Sequence, residues 1–275
     1  MRIQITHETH YTYEPPAGGL IQILRLTPRD HAGQYVVRWR VDVSGDQRLQ
    51  QDEDAFGNII HTFTADGPLT ALRVAVEGEV ETQDTAGIVR DTIERFPPSL
   101  YLRSTPLTEA DAAIIAFAEE SQREAASDTL ALVHSLSRRL RETMTFDVEP
   151  TQTTTSAADA LRLKRGVCQD YAHILISACR RAGVPARYVS GYLKRSDGVD
   201  AQEAGHAWFE AYIPDLGWVG FDAANGLAPT EAYVRVAVGL DYLGAAPVRG
   251  TRFGGGSESL DVSIYVEQSA GQVQS

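Results

Sequence analysis

Cysteine is nearly missing from this chain: Cys168 and Cys179 are the two thiols among 275 residues. If a single helix carries both, they stand about 16 Å apart at ~1.5 Å rise per residue, too far for an intramolecular disulfide. The fold must then hold without bridges, and a reducing compartment suits it. Long apolar runs are missing too. Nothing approaches 18 consecutive apolar residues, and the opening segment has no basic stretch leading into an apolar one, so neither a membrane-spanning helix nor a secretory leader is expected. Positive charge is in deficit, with 25 Lys and Arg against 37 Asp and Glu for a net charge of −12. That balance argues against nucleic acid or another polyanion as the main partner. No glycine-rich phosphate loop follows a suitable strand, and His7, His10, His61, His134 and His173 form no local metal signature. The expectation is a cytoplasmic protein without cofactor, metal or membrane partner.

What the chain does contain is 43% hydrophobic residues, enough for one large or two ordinary cores. Its first hundred residues alternate with period two. Ile3 and Ile5 share one side, Tyr35, Val37, Trp39, Val41 and Val43 form another face, and Leu72, Val74 and Val76 mark a further strand. Asp54-Ala55-Phe56-Gly57-Asn58 reads as a turn before Ile59 to Phe63. An antiparallel β sandwich or barrel is predicted. Prolines between Phe96 and Pro106 mark a change to helical periodicity, dividing β-rich residues 1–98 from an α+β part, residues 99–275. In the second part, helices are predicted from a Thr108 cap to Ser121, from Ser127 to Glu142, from a Ser156 cap to Leu163, and from Cys168 to the Gly183-Val184-Pro185 stop. Strands are expected at 187–193, 206–213, 218–222 and 260–266.

Cys168 stands where the glycine-containing turn Arg165-Gly166-Val167 enters the fourth helix. Unpaired N–H groups and the positive dipole end of a helix start stabilise a thiolate there. Gly205-His206-Ala207-Trp208 and Gly220-Phe221-Asp222 supply a histidine and a carboxylate in strand settings, so a Cys-His-Asp acyl-transfer site is the first hypothesis. A hairpin centred between Asp215 and Leu216 would put Asp222 opposite Phe209, three residues from His206 and roughly 10 Å away. An odd loop centred on Pro214, or a bulge, would place the two opposite each other. Cys179, deep in the apolar face of its helix, reads as core.

The cysteine helix, the His-Ala-Trp strand and the Trp218-Val219-Gly220-Phe221-Asp222 strand together resemble the transglutaminase-like, papain-like cysteine-hydrolase family. The Thr6-His7-Glu8-Thr9-His10-Tyr11-Thr12-Tyr13 opening and the Asp54 to Asn58 turn resemble the N-terminal domain attached to many bacterial members. The resemblance covers nearly the whole chain. It implies a papain-like α+β core with Cys168 as nucleophile, His206 as base and Asp222 as its orienter, acting on a peptide or amide. One departure stands out: where the family's ending is Phe-Asp-Pro-Thr-Asn, this chain has Phe221-Asp222-Ala223-Ala224-Asn225, which keeps the carboxylate and loses the stiffening proline.

Apart from that resemblance, Cys168 also fits a packed helix cysteine, His206 a strand hydrogen-bonding residue and Asp222 a turn carboxylate. Gln169 is a candidate oxyanion donor through its backbone or side chain. Asp170 is suited to bind a backbone donor, to pair with Arg165 or Arg187, or to tune the site. Trp208, Trp218 and Tyr192 are candidate cleft residues, with core packing an equal alternative for the tryptophans. His173 reads as a packed or hydrogen-bonded histidine. Hydrolysis is favoured over transfer to an amine because nothing in the sequence signals a crosslinking partner; a binding protein with a misaligned cleft is the alternative from another class.

Overall fold

In β1 (Arg2–Thr27) the residues Ile3, Ile5, His7, Thr9, Tyr11 and Tyr13 are buried while those between them are more exposed, as in a strand with one covered face. The structure is a computed structural model that describes residues 1–45, 47–125, 127–254 and 256–269. After β1 come β2 (Gln34–Val43), β3 (Gln50–Glu53), β4 (Ile59–Thr82) and β5 (Ile88–Val89). The helical stretch follows with α1 (Ala112–Ala125), α2 (Thr129–Thr143), β6 (Thr145–Phe146), α3 (Ala157–Leu163), β7 (Arg165–Gly166) and α4 (Cys168–Arg181). Then come β8 (Ala186–Leu193), β9 (Ala201–Gln202), β10 (His206–Ile213), β11 (Gly217–Phe221), β12 (Tyr233–Gly239), α5 (Tyr242–Ala245), β13 (Val248–Phe253) and β14 (Ser257–Gln268).

The architecture is α+β, with an N-terminal antiparallel sheet followed by a core of helices and strands. A seven-stranded sheet runs β2-β4-β1-β14-β9, with β13 added to β1 and β3 to β4. A five-stranded sheet runs β12-β8-β10-β11-β5. Sheet membership departs from chain order at the end, because β13 and β14 return to lie against β1. One core cluster joins Ile3, Ile5 and Val80 of the first sheet to Ile174 and Leu175 of α4 and Phe209 of β10. No helix among the described residues is long and apolar enough to cross a membrane.

Two local expectations change. Tyr35 is not on the covered face of β2 but 58% exposed, because the register with β4 shifts between Val36 and Arg38 and inverts the alternation there. Thr108 does not cap α1; it is buried and accepts from the Arg180 guanidinium at 2.8 Å. Asp111 takes the capping role, its Oδ1 accepting from the backbone N–H groups of Ala113 and Ile114 at 3.0 Å. Elsewhere the side-chain signals act where they stand. Ser156 accepts from Asp159 N–H at 3.2 Å at the start of α3. The Asp54 to Asn58 turn is held by Asp54 Oδ1, and Asn58 continues across to bond both backbone groups of Val238 at 2.8 Å.

Candidate active site

The segment before the thiol is pinned to its helix by one carboxylate. Asp170 Oδ2 accepts the Val167 N–H at 2.8 Å and the Thr151 hydroxyl at 2.7 Å, which satisfies an otherwise orphaned helix-start donor. Gly166 makes room for this: a Cβ there would lie 2.5 Å from Asp170 Oδ2. Burial pushes the Asp170 carboxyl upward against those donors. Of the roles considered for Asp170, the backbone-donor role is the one its contacts fill. Cys168 is the first residue of α4 and is partly exposed. Its own N–H and that of Gln169 belong to the first turn, which no intrahelical carbonyl serves. The Gln169 side chain turns instead to the Thr153 carbonyl at 3.3 Å, leaving its backbone as the candidate oxyanion donor.

His206 opens β10 opposite Gly191 of β8. Gly191 is needed by close approach, since a Cβ would meet the Val234 carbonyl at 2.1 Å and the Trp208 ring at 2.8 Å. Across the hairpin, Ile213 pairs with Gly217 and Phe209 with Phe221, so the loop is Pro214-Asp215-Leu216, centred on Asp215. Neither register weighed from the sequence occurs. Continuing the observed one sets Asp222 across from Trp208, on the side that His206 shares and diagonal to it. His206 Nε2 meets Asp222 Oδ2 at 2.6 Å, and Cys168 lies near enough for its charge to act on the imidazole. Burial disfavours a charged imidazole, but the charge and hydrogen bonds of Cys168 and Asp222 outweigh it and carry the His206 pKa up to about 10. Burial likewise opposes ionisation of Asp222, yet donors from His206, Asn225 and Tyr233 hold its carboxyl below the ordinary range.

Asn225 caps the turn after β11, its N–H and side-chain amide donating to Asp222 at 3.1 and 2.7 Å. Tyr233, whose hydroxyl donates to Asp222 at 2.7 Å, had no sequence signal, because its contact depends on strand order rather than on spacing.

The three aromatic cleft candidates pack elsewhere. Trp208 is buried behind His206, stacked on it at 6.1 Å and edge-on to Tyr233 at 5.4 Å. Trp218 lies under the Arg187 guanidinium, 3.9 Å from its ring centre, with Tyr101 at 5.0 Å. Tyr192 points to the first sheet and meets His7 Nδ1 at 2.9 Å. Alternation along β8 explains Tyr192: it follows Gly191, the residue opposite His206, and so faces the other side of the sheet. A cleft of about 530 Å³ does open at His206, lined by Phe146, Leu193, Arg195, Asn225 and Tyr233 among others. A second cavity, about 460 Å³, lies between α2 and the loop after β11, with Asp222 but not His206 in its wall. Among the described residues no group of three or more His, Cys, Asp and Glu could hold a metal ion.

The other thiol is inert by position. Cys179 is 0% exposed, and burial pushes its pKa up to about 12. His173 is also enclosed, its Nε2 accepting the Tyr242 N–H at 3.0 Å. Limited alkylation of folded protein is therefore expected to label Cys168 at least ~100-fold faster than Cys179, read by peptide mapping. Comparable rates at the two sites would contradict this arrangement.

Residues 115–223 match the family described as the transglutaminase-like superfamily, and residues 3–81 match the bacterial transglutaminase-like N-terminal region. An uncharacterized protein of Mycobacterium leprae is 32% identical over 98% of this chain and 99% of its own length. A candidate cysteine protease from Cytophaga hutchinsonii shares the fold at a TM-score of 0.71 and 21% identity, covering 100% of this chain and 92% of that one. The periplasmic domain of TgpA from Pseudomonas aeruginosa, bound to ethylmercury, matches at a TM-score of 0.41 and 19% identity, over 80% of this chain and 90% of that one. The cytoplasmic expectation is withdrawn, because lack of disulfides does not confine a protein to a reducing compartment. With both family regions in order along the chain and 32% identity to a relative covered over 99% of its length, this protein belongs to the transglutaminase-like superfamily and carries its bacterial N-terminal region.

Proposed function

We propose that the protein hydrolyses peptide or other amide bonds through an acyl-thioester, with Cys168 as nucleophile, His206 as acid and base, and Asp222 as the residue that orients His206. The observation supporting this most directly is the 2.6 Å contact of His206 Nε2 with Asp222, at a position where the charge of Cys168 also acts on the imidazole. His206 holds the proton taken from the thiol, and the Cys168 sulfur attacks the amide carbonyl. The oxyanion develops beside the N-terminal turn of α4, where the Cys168 and Gln169 N–H groups and the helix dipole favour negative charge. Collapse breaks the C–N bond, His206 returns its proton to the leaving amine, and an acyl-thioester stays on Cys168. Water, deprotonated by His206, then attacks the thioester and releases a carboxylic acid and the free thiol.

A primary amine in place of water would give transglutamination, and the chemistry up to the thioester is the same. Reduced enzyme incubated with peptide amides, with and without a primary amine, distinguishes the two by product mass. The expected product is the free carboxylate in both cases. A predominant amine-linked acyl product would replace hydrolysis by transfer. Binding with neither product nor acyl-enzyme would leave a binding protein.

A further inference from the structure

Asp222 does not serve His206 alone. Its Oδ2 atom faces three donors: the imidazole Nε2 at 2.6 Å, the Asn225 side-chain amide at 2.7 Å and the Tyr233 hydroxyl at 2.7 Å. Asn225 belongs to the same turn. Tyr233 comes from β12, opposite Leu193 of β8, and its ring lies 5.7 Å from His206 and 5.4 Å from Trp208. One side chain therefore touches the carboxylate through its hydroxyl and flanks the imidazole with its ring.

We infer that Tyr233 is a positioning residue of the acyl-transfer site, whose hydroxyl fixes the Asp222 carboxylate and draws part of its charge away from His206, so that the imidazolium can release its proton to the leaving amine. The inference rests on the reading of His206 as the acid–base group. Its physical basis is competition. Each donor on a carboxylate oxygen takes a share of the negative charge, so a third donor weakens the hold of that oxygen on the other two. An imidazole facing an undivided carboxylate would be a stronger base and a poorer proton donor, whereas proton transfer is best served by a pKa near the working pH.

Burial and the neighbouring Asp222 charge both raise the Tyr233 hydroxyl well above its ordinary pKa, so it stays a donor. The groups facing His206 are Cys168 from α4, Asp222 after β11 and Tyr233 from β12, with Lys194, Arg195 and Asp197 around the cleft. Lys194 pairs with Asp200 and Arg195 with Asp197, so the cleft charges are largely balanced. Tyr233 and Asn225 are the neutral donors that divide the Asp222 charge.

The test is the rate at which iodoacetate alkylates Cys168 in the full chain, followed against pH. The anionic reagent is drawn by the imidazolium, so the rate falls at high pH as His206 loses its proton. Tyr233→Phe keeps the ring and removes the hydroxyl; it is expected to move that basic limb up by about half a pH unit or more. With an amide substrate, kcat should fall ~10-fold while KM stays within about twofold. Installing 3-fluorotyrosine at position 233, with a more acidic and stronger donor, should move the limb down and keeps the test available if the phenylalanine variant folds poorly. A wild-type limb that does not respond to either replacement would overturn this inference alone. A wild type without a basic limb, alkylated like His206→Ala, would overturn the acid–base role of His206 and this inference with it.

Discussion

Cys168→Ala is expected to lower amide turnover by about 10⁴-fold or more while leaving substrate affinity within a few-fold of wild type. The replacement is small and suits a helix start, and the Asp170 contacts that pin the turn involve Val167 and Thr151 rather than the thiol. The loss should thus appear in kcat and not in binding. His206→Ala should cost ~10³-fold or more, because a thiol at its ordinary pKa is a small fraction thiolate at neutral pH. Single-turnover kinetics on both variants, with binding measured separately by calorimetry, checks the pair. Residual turnover in Cys168→Ala within about tenfold of wild type would remove the thiol from the mechanism.

The second large effect concerns stability. Arg187 and Glu210 are 1% and 0% exposed and meet at 2.6 Å, with Arg235 on Glu210 at 2.7 Å and Glu94 on Arg187 at 2.9 Å. Arg187→Ala would strand the Glu210 carboxylate with one cation in place of two and strip the face of Trp218. The expected cost is about 3–5 kcal/mol, read as a Tm lowered on the order of 10 °C. The pH dependence follows from the direction of the shift. Burial opposes ionisation of Glu210, but Arg235 and Arg187 together hold its pKa near about 2. A depressed carboxyl pKa means that the network's stabilisation is complete above the ordinary glutamate range and is lost as pH falls toward about 2. Arg187→Ala should therefore narrow its stability gap from wild type in acid. A gap that stays constant down to pH 2, or a variant with unchanged Tm, would show that the pair contributes little.

Glu210 also shows where sequence reading reaches its limit. It sits on β10 in the same alternation as His206 and Trp208, and that periodicity was visible. Its partners Arg187 and Arg235 come from β8 and β12, so their meeting depends on sheet order, which no local spacing encodes. The same distinction separates the readable parts of the site from the rest. The start of α4 was legible because a turn glycine precedes an apolar stripe, and the β10–β11 hairpin because two alternating runs flank Pro214 to Gly217. Its register was not, since a one-residue change in the loop centre moves Asp222 along the partner strand. Thr108 illustrates competition between equivalent signals: both Thr108 and Asp111 can cap, and burial of Thr108 against Arg180 left the helix start to Asp111.

The return of β14 to β1 shapes how this chain must fold. Tyr13 and Glu258 are partners in that ladder, and Glu14 accepts from Ser257, 243 positions later. Closing so long a loop costs more entropy than a hairpin and comes late, since local pairs such as β3 with β4 form at little loop cost. During synthesis, β1 can pair with β4 long before β14 exists, leaving one of its edges with unpaired backbone groups. A chain on the ribosome therefore carries an open strand edge through the making of the entire thiol-bearing core, and the period in which a chaperone could matter most lies there.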